Sequence, residues 1–260
     1  MEDIEFLKEL IRIPSVSDCV AEVNRAVDLV SGRLAQEGLT CWEEVTEDAR
    51  KAVFVSTDGT KRPDVLLAVH VDVVPAQRPD QFEPREEDGR ICGRGAWDCK
   101  GHCLLALRLL RRLKNRVSVG CAFSSDEEIC GISAGVLLDR GYGARRLVVV
   151  LDSVPYALTT SQKGSAKYAH KAEPVILDET EPRLLEFRDC MREKWPGRRI
   201  GFCSINGFTD AHHYRRLGLP MLIIGVEGEG SHEANESVRL DSLSEYEDLL
   251  ADYLLCRFAR

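Results

Sequence analysis

The sequence predicts a single α/β domain in three layers, with a mostly parallel, twisted sheet flanked by helices. Segments with apolar residues at helical spacing alternate along the chain with short runs rich in β-branched residues, the pattern of a layered domain rather than of segregated helices and strands. Several of the short runs are apolar on both faces, as strands covered by helices on both sides are. The 260 residues, 44% of them hydrophobic, suffice for one full core, so residues 1–260 are expected to form one domain.

In chain order, recurrence of apolar residues every three or four positions predicts helices over Glu2–Ile11, Cys19–Glu37, Gly101–Leu113, Cys130–Arg140, Pro182–Lys194, Thr209–Leu217 and Ser242–Phe258. The short apolar runs predict strands over Ala52–Ser56, Val65–Val69, Val117–Phe123, Leu147–Leu151, Gly201–Ile205 and Met221–Ile224. Residues 161–181, SQKGSAKYAHKAEPVILDETE, are polar and without sustained periodicity, with Pro174 ahead of an acidic stretch, and read as a connector.

Composition excludes several function classes. Thirty-five Lys and Arg against 43 Asp and Glu give a net charge of −8, the wrong sign for a general nucleic-acid binder. No apolar run approaches the roughly 18 residues of a membrane span. The segment MEDIEFLKEL lacks the basic-then-apolar form of a signal peptide, so a cytoplasmic location is expected. The ten cysteines have no regular spacing and often sit in apolar stretches, which reads as reduced core thiols. Cys99 and Cys103 have no second pair to complete a zinc knuckle.

Ligands of open α/β sheets collect at the carboxyl ends of the strands, so the residues just past each strand carry the functional signal. Strand 65–69 runs into His70 and Asp72, strand 117–123 into Asp126, Glu127 and Glu128, strand 147–151 into Asp152, and strand 221–224 into a Gly-rich loop holding His232. The loop 93–101, GRGAWDCKG, adds Asp98. Each alone has an ordinary reading: a structural histidine, a solvated acidic pair, a cap, an exposed loop imidazole. Together, so many carboxylates at one crevice require positive charge, because buried like charges repel or neutralise. Lys100 and Arg94 are candidates for part of it, but imidazole mixed with carboxylate is the ligand set of zinc, with manganese or cobalt as substitutes. Two divalent ions balance three ligating carboxylates and one hydroxide, so a pair of metals is expected. His102, His212 and His213 are read as structural, and Arg108–Arg112 as a solvated helix face.

The motifs HVDVVP, GRGAWDCKG, SSDEEICG, LDS and SHEANE, in that order, resemble the zinc aminoacylase, succinyl-diaminopimelate desuccinylase and carboxypeptidase G group, metallopeptidase family M-twenty. The resemblance covers about residues 1–165 and 182–258 and implies a zinc-exopeptidase-like fold. It implies that His70 and Asp152 hold one zinc, Glu128 and His232 the other, and that Asp98 bridges them. Asp72 is then the partner of His70, Glu127 the general base, and Asp98-Cys99 a candidate cis peptide. Cys99 stands where the family usually has Met or Asp, a change expected to leave the metals untouched. An inserted lid domain of the family, which forms its dimer interface and supplies a histidine to the partner's site, is replaced here by the short connector 165–181. His170 resembles the start of that lid's histidine motif. A monomer is therefore expected. An aspartate at Asp152 is associated in the family with aminopeptidases and dipeptidases. The expected activity is hydrolysis of an amide bond in small peptides or N-acyl amino acids; the alternative is a metal-binding remnant, or a chain trimmed of its lid, with little turnover. A two-metal phosphoesterase is disfavoured by the lack of a phosphate cradle.

Overall fold

The computed structural model describes residues 2–259; Met1 and Arg260, the ends of the predicted domain, lie outside the described residues. A six-stranded sheet forms its centre, in the order Thr40–Val45, Lys51–Ser56, Val119–Ser124, Val65–His70, Leu147–Leu151, Met221–Ile224. The last four are mutually parallel, and the first two add antiparallel at one edge. Register places Leu67 opposite both Cys121 and Val149.

The alternation of side chains along a strand divides the core in two. Val65, Leu67 and Val69 face one apolar cluster, shared with helices Glu2–Arg12, Val20–Gln36, Lys100–Leu113 and Leu240–Phe258. Leu66 and Ala68 face the other, shared with helices Ser133–Asp139 and Ala211–Tyr214. Both faces are thus covered, giving the predicted three layers with the strands' carboxyl ends left as an open rim. No helix among the described residues is long and apolar enough to cross a membrane, and all ten cysteines are free thiols.

Several predicted elements shift for identifiable reasons. The helix expected from Cys130 starts at Ser133, because the Asp126 carboxylate accepts from the backbone N–H groups of Ile132 at 2.9 Å and Ser133 at 3.1 Å and holds the preceding residues in a tight turn. Gly131 is required there, since a Cβ would lie 1.9 Å from that carboxylate carbon. The predicted helix 209–217 divides into Ala211–Tyr214 and a 3₁₀ turn, Arg215–Leu217. Beyond the predicted strands, Ala157–Gln162 pairs in parallel with Gly201–Ile205 and antiparallel with the two residues Val175–Ile176. That last pairing tethers the 165–181 connector to the domain. A small antiparallel sheet of Gly228–Glu229, Ser237–Arg239, Arg90–Cys92 and Arg85–Glu87 carries the loops holding Asp98 and His232.

Candidate metal centre

The rim gathers the residues that the strand ends predict. His70 closes its strand and is 1% exposed. Its Nδ1 faces Asp72, with the backbone oxygen at 3.1 Å and Oδ1 at 3.4 Å. Its Nε2 points into the cleft, 3.2 Å from Asp98 Oδ1, 3.8 Å from Asp152 Oδ2 and 3.9 Å from Glu127 Oε2. On the other side, His232 Nε2 lies 3.1 Å from Asp98 Oδ2 and 3.0 Å from Glu128 Oε2. Asp98 therefore offers each carboxylate oxygen to a different imidazole. The peptide bond Asp98-Cys99 is cis, as the resemblance implies.

Asp72, fully buried, locks this arrangement from beneath. Its Oδ1 accepts from the backbone N–H of Glu127 at 3.1 Å, and its Oδ2 from that of Glu128 at 3.2 Å and from the Ser17 hydroxyl at 2.7 Å. One carboxylate thus fixes His70 and the acidic pair together.

The electrostatics report a shortage of positive charge. Burial, then the Asp98 carboxylate, pushes Asp152 up to about 8 and Glu128 up to about 7, and burial holds Glu127 well above the usual carboxylate range. His232, with hydrogen bonds to Asp98 and Glu128, is raised to about 10 and takes the place of a cation between them. Glu127 Oε1 and Glu128 Oε1 are buried without any hydrogen-bond partner. The cations the sequence offers are engaged elsewhere: Lys100 Nζ donates to the Ile13 carbonyl at 2.8 Å, and Arg94 is ion-paired to Glu236 at 2.6 Å. Orphaned carboxylate oxygens beside imidazoles are what divalent ions satisfy. Asp98, Glu128 and His232 bring donor atoms within 4.8 Å of one another, as do His70, Cys99 and Asp152. The residues fit a divalent metal ion.

Residues 66–255 match the family described as Peptidase family M20/M25/M40. The chain belongs to that family. The curated relatives include a cysteinylglycine-S-conjugate dipeptidase of Corynebacterium striatum, 39% identical over 95 residues, which are 34% of this chain and 21% of that protein. A succinyl-diaminopimelate desuccinylase of Rickettsia typhi is 34% identical over 138 residues, 47% of this chain and 35% of that protein. The chain thus spans between a fifth and about a third of the length of these relatives. Among solved structures, a family metallo-carboxypeptidase of Sulfolobus solfataricus superposes with a TM-score of 0.82 at 12% identity, covering 98% of this chain and 99% of that one, a likeness of fold.

Within this family fold, some residues do more than the sequence reading assigns them. Glu236, the last residue of SHEANE, accepts from the backbone N–H groups of Gly95, Trp97 and Asp98 at 2.8, 3.0 and 2.9 Å besides pairing with Arg94, and so shapes the whole Asp98 loop. The Ser231 hydroxyl donates to Asp98 Oδ2 at 2.6 Å. The Cys99 thiol lies near donor atoms of His70 and Asp152 while donating to the Leu151 carbonyl at 3.1 Å. The structural reading of His102 matches its contacts: Nδ1 lies 2.9 Å from the Trp97 carbonyl, and Nε2 accepts from the Val226 N–H at 3.1 Å. His213 Nε2 lies 3.0 Å from the Gly131 carbonyl. His170 is exposed on the connector. A cavity of about 540 Å³ opens above Asp98, Glu127, Glu128, Asp152 and His232, a size suited to a small molecule.

Proposed function

We propose that the protein is a metal-dependent hydrolase of amide bonds in small peptides or N-acyl amino acids, acting as an exopeptidase, dipeptidase or deacylase with two zinc ions that cobalt or manganese can replace. The observation that carries this reading is Asp98, whose two oxygens face His70 at 3.2 Å and His232 at 3.1 Å. In it, His70 and Asp152 hold one ion, Glu128 and His232 the other, and Asp98 both. The names of the relatives, a dipeptidase and a desuccinylase, support the reaction class.

When bound, the ions acidify a water and polarise the carbonyl to be attacked. The chain's own residues supply the proton traffic and the positioning. Glu127, on the cavity wall with Oε1 unpartnered, accepts the proton of the attacking water and returns it to the departing amine, the step amide hydrolysis most needs. Burial raises its proton affinity, which favours the delivery step. Asp72 accepts from His70 Nδ1–H, leaving the Nε2 lone pair free toward the cleft. A structural metal site has no use for a buried, unpartnered carboxylate such as Glu127, so an active enzyme is favoured over a metal-binding remnant.

The same proposal takes residues 165–181 as a connection in place of the family's inserted domain, a monomeric state that light scattering checks, and a cytoplasmic location. A panel of dipeptides and acetyl-amino acids, assayed with zinc, manganese and cobalt, tests the reaction. Glu127→Gln is expected to retain both metals and to lose about a hundred- to ten-thousandfold in kcat. Full metal content with activity close to that of the parent overturns the role of Glu127.

A further inference from the structure

All ten cysteines are free thiols, and among the described residues one of them, Cys99, belongs to a group of metal-donor atoms. Its sulfur, an imidazole nitrogen of His70 and a carboxylate oxygen of Asp152 lie within 4.8 Å of one another. Three elements bring them together. His70 ends strand Val65–His70, Asp152 follows the neighbouring parallel strand Leu147–Leu151, and Cys99 precedes helix Lys100–Leu113. The thiol is fully buried and donates to the carbonyl of Leu151, the residue before Asp152, at 3.1 Å. Cys103, one helical turn further on, shows the ordinary use of a buried thiol: it donates to the His70 carbonyl at 3.2 Å and belongs to no donor group among the described residues. The other donor group of the rim, Asp98, Glu128 and His232, contains nitrogen and oxygen alone. The two halves of the rim are therefore chemically unequal.

We propose that Cys99 is a metal ligand: with His70, Asp98 and Asp152 its sulfur holds one ion in a soft position selective for zinc, whereas Asp98, Glu128 and His232 form a harder position open to zinc, cobalt or manganese. The proposal rests on the two-ion hydrolase reading and deepens it. Cys99 stands where the family usually has Met or Asp, and the resemblance gives it no part in the metal site; the geometry does. Bonds of about 2.0–2.3 Å from nitrogen, oxygen and sulfur to one ion set tetrahedral donors roughly 3.3–3.8 Å apart. His70 Nε2 is 3.2 Å from Asp98 Oδ1 and 3.8 Å from Asp152 Oδ2, and the sulfur closes the group from below. The bond to Leu151 is the one a thiol makes while it keeps its hydrogen. On meeting an ion the S–H bond breaks, its proton passes to solvent, and the sulfur electron pair binds the metal. Thiolate favours zinc over manganese, while carboxylate and imidazole accept either. Four protein donors close the first position, as in structural zinc sites, and three leave the second with room for water or substrate. The thiolate also supplies, in the resting site, the negative charge that a hydroxide would otherwise bring.

The first measurement needs no variant: X-ray absorption at the zinc edge of the zinc-loaded parent. A sulfur neighbour at about 2.3 Å, averaging about half a sulfur per zinc, is expected, and a shell of nitrogen and oxygen alone overturns the proposal. Cobalt gives a second readout. The cobalt-loaded parent is expected to show a thiolate-to-cobalt charge-transfer band in the near ultraviolet, lost in Cys99→Ser and kept when the two exposed thiols are removed by Cys19→Ser with Cys256→Ser. A band that survives Cys99→Ser overturns the assignment as well. In competition with a chelator, Cys99→Ser is expected to weaken the tighter zinc by about a hundredfold or more, beyond the loss of a supporting group, and to leave the looser zinc as in the parent. In excess manganese the parent is expected to keep one zinc per chain and Cys99→Ser none; equal exchange in both overturns the soft position. Sulfur at zinc without hydrolysis of the dipeptide and acetyl-amino acid panel keeps the ligand and removes the hydrolase; hydrolysis with no sulfur at zinc does the reverse.

Discussion

The acidic rim and the connector loop line one cavity, yet they are held in opposite ways. On the rim His70, Asp98, Glu127 and Glu128 are each backed by a second residue. Asp98 hangs from Glu236 through backbone N–H groups, Glu127 and Glu128 hang from Asp72, and His70 is fixed by the same Asp72. The loop 166–171 depends on a neck of two backbone hydrogen bonds between Ser165 and Ala172, and its Lys167 is exposed. Chemistry that must place several charges within a few ångströms needs redundant support, because each unpaired buried charge is costly. A surface loop does not, so its residues can change while the rim stays intact. Substitutions on the rim should therefore cost stability, metal and rate together, and substitutions on the loop should cost little stability.

The largest stability effect is expected where rim support is densest. Glu236→Leu strands Arg94, whose side chain is 1% exposed, without its ion partner and removes the acceptor of three N–H groups. Breaking such a buried pair costs about 3–5 kcal/mol, to be read as a lower urea midpoint of the zinc-loaded protein. Lys171→Met on the loop should change stability by no more than about 0.5 kcal/mol. Similar losses in the two variants would erase the contrast. A smaller effect follows from Asp72→Asn, which puts an amide N–H₂ against N–H donors and loosens His70. Metal affinity by competition with a chelator should fall about ten- to a hundredfold, with the fold retained. Unchanged affinity would show that His70 is placed by its strand alone.

The division between rim and loop also governs what the sequence discloses. Strands such as Leu147–Leu151 and Met221–Ile224 are legible because they are apolar on both faces, and the strand-end rule then points to His70, Glu127, Glu128 and Asp152. Thr40–Val45, TCWEEV, is a half-exposed edge strand, and Ala157–Gln162, ALTTSQ, though mostly buried, is rich in hydroxyl and amide side chains; both carry little apolar signal. The support of Asp98 by Glu236 joins residues 138 positions apart, which no local pattern encodes. Lys167 and Tyr168 sit in a stretch without periodicity, where only the folded chain shows that the connector returns to the cavity. Asp126 illustrates the converse: it shares the strand end with Glu127 and Glu128 but turns its carboxylate to the Ile132 and Ser133 N–H groups.

The finest test of the rim concerns its charge when the metals are stripped. Asp152, lifted to about 8, and Glu128, lifted to about 7, keep protons in the folded state that the unfolded chain, near 3.8 and 4.5, has released. A group with a raised folded pKa contributes stability that is complete below its unfolded value and is lost as pH rises through the folded one. His232, raised to about 10 by its hydrogen bonds to Asp98 and Glu128, adds to the same trend above 6.5. Burial holds His212 at about 3 and Lys100 at about 7, and these act in the opposite sense, the first below 6.5 and the second above 7. Asp152→Asn isolates the carboxylate part. In chelator-treated protein the urea midpoint should decline with rising pH between about 5 and 8 more steeply for the parent than for Asp152→Asn, and zinc should abolish the difference. Parallel slopes would mean that Asp152 does not share the field of Asp98, and that the negative charge on the rim is spread more widely than two ion positions.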